Sequence, residues 1–136
     1  MRPTSVLRYS FFVGAIYFLV MSVAHAIGLK VPGLFIYFNI PSYVYQDLII
    51  SALLFGWAAF FFAASWTSDL AVTRATLIAG AFAVATLTYA NLSTPFSELT
   101  DGARPLAFHI QVVVLGVYWV WLLVWHLLAR RRGPES

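Results

Sequence analysis

Apolar residues run almost unbroken through four stretches of the chain, at about 9–29, 43–66, 70–92 and 106–128, and polar residues collect in the gaps between them. Each stretch is about 20 residues or more, enough for an α-helix rising 1.5 Å per residue to cross about 30 Å of hydrocarbon. The pattern therefore predicts four transmembrane helices. They consume most of the 136 residues, so no extramembrane catalytic domain fits.

The connections favour a simple order. Trp66-Thr67-Ser68-Asp69 is short enough to make the second and third spans an antiparallel hairpin, with Ser68 or Asp69 capping the third. Asn91-Leu92-Ser93-Thr94-Pro95 ends the third span, because Pro95 does not continue a helix, and Pro105 suits the first turn of the fourth. The expected fold is an all-α integral membrane protein: one domain over 1–136, four transmembrane helices in an up-down-up-down bundle.

Composition agrees with lipid as the main solvent. Hydrophobic residues make up 62% of the chain and charged ones 10%, too few to cover the surface of a soluble domain. The absence of cysteine excludes disulfides, thiolate metal sites and cysteine nucleophiles. The net charge of +3 matters through its distribution. Arg2, Arg8, Arg74, Arg130, Arg131 and Arg132, six of the eight cationic residues, fall on one side once four crossings are assumed. The positive-inside bias then puts both termini in the cytoplasm, in a bacterial cytoplasmic (inner) membrane. Lys30 and Arg104 fall outside, beside Asp47, Glu98 and Asp101.

The N-terminus has a second reading. Arg2 and Arg8, then Phe11 to Val23, then Ala24-His25-Ala26 resemble a signal peptide, whose cleavage would leave three helices from Ile27. The apolar stretch continues through Leu29 and is rich in aromatics, which favours a retained span. The external segment 28–42, GLKVPGLFIYFNIPS, is broken by Pro32, Gly33 and Pro41 yet is too apolar for a solvated loop. It reads as an interfacial segment, or as a lid over a polar site beneath it.

The third span interleaves alanine and glycine with threonine. Small residues four apart allow close helix approach in lipid, and threonine hydroxyls can bond back to their own helix, so this span is expected to be the most tightly packed. Trp57, Tyr118, Trp119 and Trp121 lie deep enough to flank a flat cofactor, although packing is the simpler role.

Ionisable groups within spans are costly and point to function. His25 lies one turn before the outer end of the first span, Asp47 one turn into the second, Asn91 at the end of the third and His109 one turn into the fourth. Alternating helix direction brings all four to one depth, with Gln46, Gln111 and Tyr89 nearby. Three readings of the cluster follow. His25 and His109 could ligate a haem or a transition metal, with Asp47 or Gln111 fixing a tautomer. Asp47 with a histidine could form a proton- or ion-linked site. The polar groups could also simply bond to one another and tie helix ends. His126, far along the fourth span beside the arginines, reads as a headgroup contact.

No phosphate loop, H-E-x-x-H or nucleophile motif is present, and the basic residues form a membrane-flanking pattern rather than a nucleic-acid surface. The stretch LRYSFFVG, through Arg8 to Gly14, resembles the opening of a family of small four-helix flippases for polyprenyl-linked sugars. The second span lacks a matching basic and aromatic ending, and no assignment is taken from it. The sequence thus predicts a non-enzymatic accessory subunit or small transport-type protein with a polar site, His25, Asp47, Asn91 and His109, near the external leaflet. The alternative is a haem- or metal-binding electron-transfer subunit using His25 and His109. Expected partners are the lipid bilayer and either further copies of the chain or a larger membrane complex, with no nucleic acid.

Overall fold

The computed structural model describes residues 3–30, 43–67, 70–95 and 105–131. They form four helices: α1 (Pro3–Ala26), α2 (Val44–Trp66), α3 (Leu70–Ser93) and α4 (Pro105–Arg131). With 23 to 27 residues each they are about 35 to 40 Å long. All four are long and apolar enough to cross a membrane, which makes the chain a small polytopic membrane protein in contact with lipid.

The helix ends have local causes. α1 stops where Gly28 adopts φ 67°, a left-handed conformation that glycine enters without steric cost. Two hydrogen bonds close that end, from Gly28 N–H to the His25 carbonyl (3.2 Å) and from Leu29 N–H to the Ala24 carbonyl (2.8 Å). α2 ends at an extended Thr67, whose N–H still reaches the Ala63 carbonyl. α3 stops two residues before Pro95, as the sequence predicts. α1 starts earlier and α4 runs later than their apolar stretches, so Arg8, Arg130 and Arg131 are helical rather than tail residues. The expected cap at Ser68 or Asp69 and the body of the 28–42 segment lie outside the described residues.

α1 and α2 make the most extensive contact in the molecule. They run antiparallel: Arg8 at the start of α1 donates to the Ser65 carbonyl near the end of α2 (2.8 Å), while His25 at the end of α1 meets Asp47 at the start of α2. Between these ends Phe11, fully buried, stands edge-on to Phe61, with ring centroids 5.4 Å apart, and Phe18 packs on both Phe61 and Trp57. Edge-to-face aromatic pairs favour such geometry, and in lipid this kind of packing replaces the hydrophobic effect as the association force.

α4 lies against α1 on one side and α3 on the other. The Tyr118 hydroxyl donates to the Ser10 carbonyl and Trp121 Nε1 donates to the Ser10 hydroxyl, while Trp119 Nε1 donates to the Leu77 carbonyl of α3 at 2.8 Å. α2 and α3 complete the ring but touch less than any other neighbouring pair. The expectation that α3 is the most tightly packed helix is therefore corrected. Gly80 does admit Trp119 closely, but Ala83 and Val84 also border an internal cavity. The threonine expectation holds: Thr76, Thr88 and Thr94 each donate to the carbonyl four residues earlier on α3 or at its end.

The bundle is apolar outside as well as inside. Mid-helix Val13, Leu53, Phe82 and Val117 are 64%, 64%, 73% and 66% exposed. In water such a surface would aggregate; against acyl chains it is the compatible one.

Candidate functional site

The polar site begins with two helix ends. His25 occupies the last turn of α1 and Asp47 the first turn of α2, so an imidazole lies near a helix C-terminus and a carboxylate near an N-terminus. Each meets the favourable end of a helix dipole. Nδ1 of His25 lies 3.0 Å from Oδ1 of Asp47, with the two side chains 10% and 11% exposed. This contact fixes the imidazole ring and, by taking up Nδ1, sets which nitrogen faces elsewhere. One turn deeper, Ser22 of α1 donates to the Ser51 carbonyl of α2 at 2.8 Å. At this end the same two helices are thus tied both by an ionisable pair and by neutral groups.

His25 and Asp47 border a cavity of about 570 Å³ that runs between the helices. Lys30, Gln46 and Gln111 join the pair toward one end of its lining, while Thr76 lies toward the other. Its middle is built from rings and small residues, notably Trp57, Tyr118 and Trp119 facing Gly80 and Ala83. Trp121, grouped with these aromatics by sequence depth, is instead exposed and packs on Trp125.

The other sequence-selected residues take different positions. Asn91 donates from its amide nitrogen to the Phe108 carbonyl at 2.9 Å, joining the end of α3 to the start of α4. His109 is exposed on α4 and does not border the cavity. The two histidines of the haem or metal reading are therefore not brought together around it. Among the described residues, no group of three histidine, aspartate or glutamate side chains converges to hold a metal ion.

Two further polar residues escaped the sequence reading. Arg8, just ahead of the apolar stretch 9–29, supplies Nε to the Ser65 carbonyl and a terminal nitrogen to that of Trp66 (3.5 Å), satisfying carbonyls that the end of α2 leaves open. His126 is 3% exposed rather than at the headgroups, and its Nδ1 has no hydrogen-bond partner among the described residues. Its position four residues before Arg130 was readable; its inward phase was not.

Four long apolar helices enclosing a polar-ended cavity define the class, a small polytopic membrane protein. Comparison of the chain with protein-family models, with curated proteins and with solved structures gives no match in any of the three.

Proposed function

We propose that this chain is a non-enzymatic membrane protein, transport-type or accessory to a larger complex, whose working element is a proton-linked His25–Asp47 pair. The 3.0 Å contact between these side chains carries the reading. Burying ionisable groups in a span is costly, and a pair kept only to join α1 to α2 would be redundant beside the neutral Ser22–Ser51 bond. A carboxylate hydrogen-bonded to an imidazole can share or pass a proton, which is the chemistry such a pair adds over a serine tie. Both termini are cytoplasmic in this reading, as the distribution of arginines supports, so the pair faces the external leaflet of a bacterial cytoplasmic membrane.

The test is a pH step across liposomes containing the purified chain and an entrapped pH-sensitive dye. The wild type speeds decay of the step relative to protein-free liposomes, Asp47→Asn returns it to the protein-free rate, and Ser51→Ala leaves it fast. Wild-type decay at the protein-free rate, with no stoichiometric co-purification of a larger membrane enzyme from native membranes, would overturn the reading.

A further inference from the structure

The cavity has a shape and a polarity that a proton site alone does not require. At about 570 Å³ it lies within the range of about 300–1,000 Å³ typical of small-molecule sites. Taking a water-sized group as about 30 Å³, it has room for on the order of twenty non-hydrogen atoms, enough for one chain but not for a two-chain phospholipid. Water is a poor filling for the middle, because a stable buried water needs two to four polar partners and the lining there is mainly aromatic and aliphatic. An empty space of this size would also deprive its walls of dispersion contacts.

Chemistry at the polar end narrows the occupant. Lys30 offers an ammonium group, while Gln46 and Gln111 offer amide N–H groups. The acidic group there, Asp47, is already engaged with His25. Lys30, Gln46 and Gln111 together carry seven N–H donors against two amide oxygens, a set that suits an oxygen accepting hydrogen bonds. The helix arrangement supplies the route. α2 and α3 make the least contact of any neighbouring pair, and both line the cavity, α2 from Gln46 to Phe61 and α3 from Thr76 to Leu87. The α2–α3 seam is therefore the least tightly closed side of the cavity.

We propose that the cavity binds a single-chain amphiphile taken laterally from the bilayer between α2 and α3, its carbonyl-oxygen head at Lys30, Gln46 and Gln111 and its apolar body against Trp57 and Trp119. The assignment rests on the reading of the His25–Asp47 pair as a working site, because the head lies beside it. A carboxylate and a quinone carbonyl share the required chemistry, and competition separates them.

The experiment uses the full chain in phosphatidylethanolamine–phosphatidylglycerol liposomes with palmitate carrying a mid-chain diazirine. Photolabelling is mapped to residues by mass spectrometry. Labels are expected on Leu54, Ala83 and Leu115, inside the cavity, in addition to the lipid-facing Val13, Phe82 and Val117. Ala83→Phe, which fills the cavity, lowers the inner labelling by about tenfold or more and leaves the outer labelling unchanged. Leu115→Trp serves the same purpose if Ala83→Phe does not fold. Displacement by unlabelled palmitate assigns a carboxylate head, and displacement by decylubiquinone a quinone head. Hexadecane, which has no head, does not displace the probe. Labelling confined to outer residues, inner labelling unchanged in a folded filled variant, or equal displacement by hexadecane overturns the assignment. A pH response without inner labelling sinks the ligand alone, and inner labelling without a pH response sinks the proton-linked reading alone.

Discussion

Gly14 of α1 makes room for Tyr118 of α4: a Cβ at position 14 would lie 2.6 Å from the Tyr118 hydroxyl and closer still to the Phe61 ring. The hydroxyl uses that space to reach the Ser10 carbonyl one turn back. Three helices therefore meet at a point where the smallest side chain is required.

Gly14→Val is accordingly expected to destabilise the bundle by about 1–3 kcal/mol, the usual range for overpacking a filled site. Gly56→Ala is the matched control, since nothing lies within 4 Å of a Cβ built there. Thermal unfolding in detergent, followed by size-exclusion chromatography, should separate the two. Equal melting curves would show that the crossing tolerates more bulk than its distances allow.

Tyr118→Phe removes the donor to Ser10 and keeps the ring. A loss of about 0.6 kcal/mol, and no more than about 1.7, is expected from interhelical hydrogen bonds measured in membranes. Ser10→Ala removes the acceptor for Trp121 while sparing the backbone carbonyl that Tyr118 uses. The two effects should therefore be nearly additive in steric-trap unfolding, and strong coupling would indicate one shared network.

For His25 and Asp47 the opposite is expected. Removing either partner deprives the other of this buried 3.0 Å contact, at a cost of about 1–3 kcal/mol, whereas His25→Ala with Asp47→Asn should cost little more than the worse single change. A double-mutant cycle by chemical unfolding measures this. Additive losses would mean that the pair is not coupled.

Arg8→Ala should fray the last turn of α2, because its Ser65 and Trp66 carbonyls lose the guanidinium. Hydrogen–deuterium exchange near 63–67 reads this directly, with faster exchange there and no change around Asp47. Uniform acceleration along α2 would instead indicate a global effect.

The orientation can be read with single cysteines, because the chain has none of its own. Ser93→Cys lies at the His25 end of the bundle and Thr67→Cys at the other. An impermeant maleimide on intact cells should label the first, and the second only after permeabilisation. The reverse pattern would turn the site toward the cytoplasm.

How much of this was legible in the sequence depended on the kind of information needed. Depth was readable, because a span has a fixed rise per residue; this brought His25 to Asp47 and the end of α3 to the start of α4. Rotation was not. In a helix apolar all round, packing residues and lipid-facing residues look alike, so no polar face marks the interior. His109 accordingly has the expected level but is exposed, while His126, assigned to the headgroups, is buried. Arg8 precedes the apolar run at which α1 was expected to begin, whereas the helix begins at Pro3. The cavity was illegible for another reason: it is a space shared by side chains from all four helices, and no single segment encodes it.

The unequal seams of the bundle have a mechanical consequence. α1 and α4 are stitched at Ser10, whereas α2 and α3 touch less than any other neighbouring pair. A splaying motion would therefore pivot near Ser10 and open most widely at the distant end of α2 and α3. Changes at Ser10 would then alter how fast the interior exchanges with its surroundings while leaving the chemistry of its lining untouched.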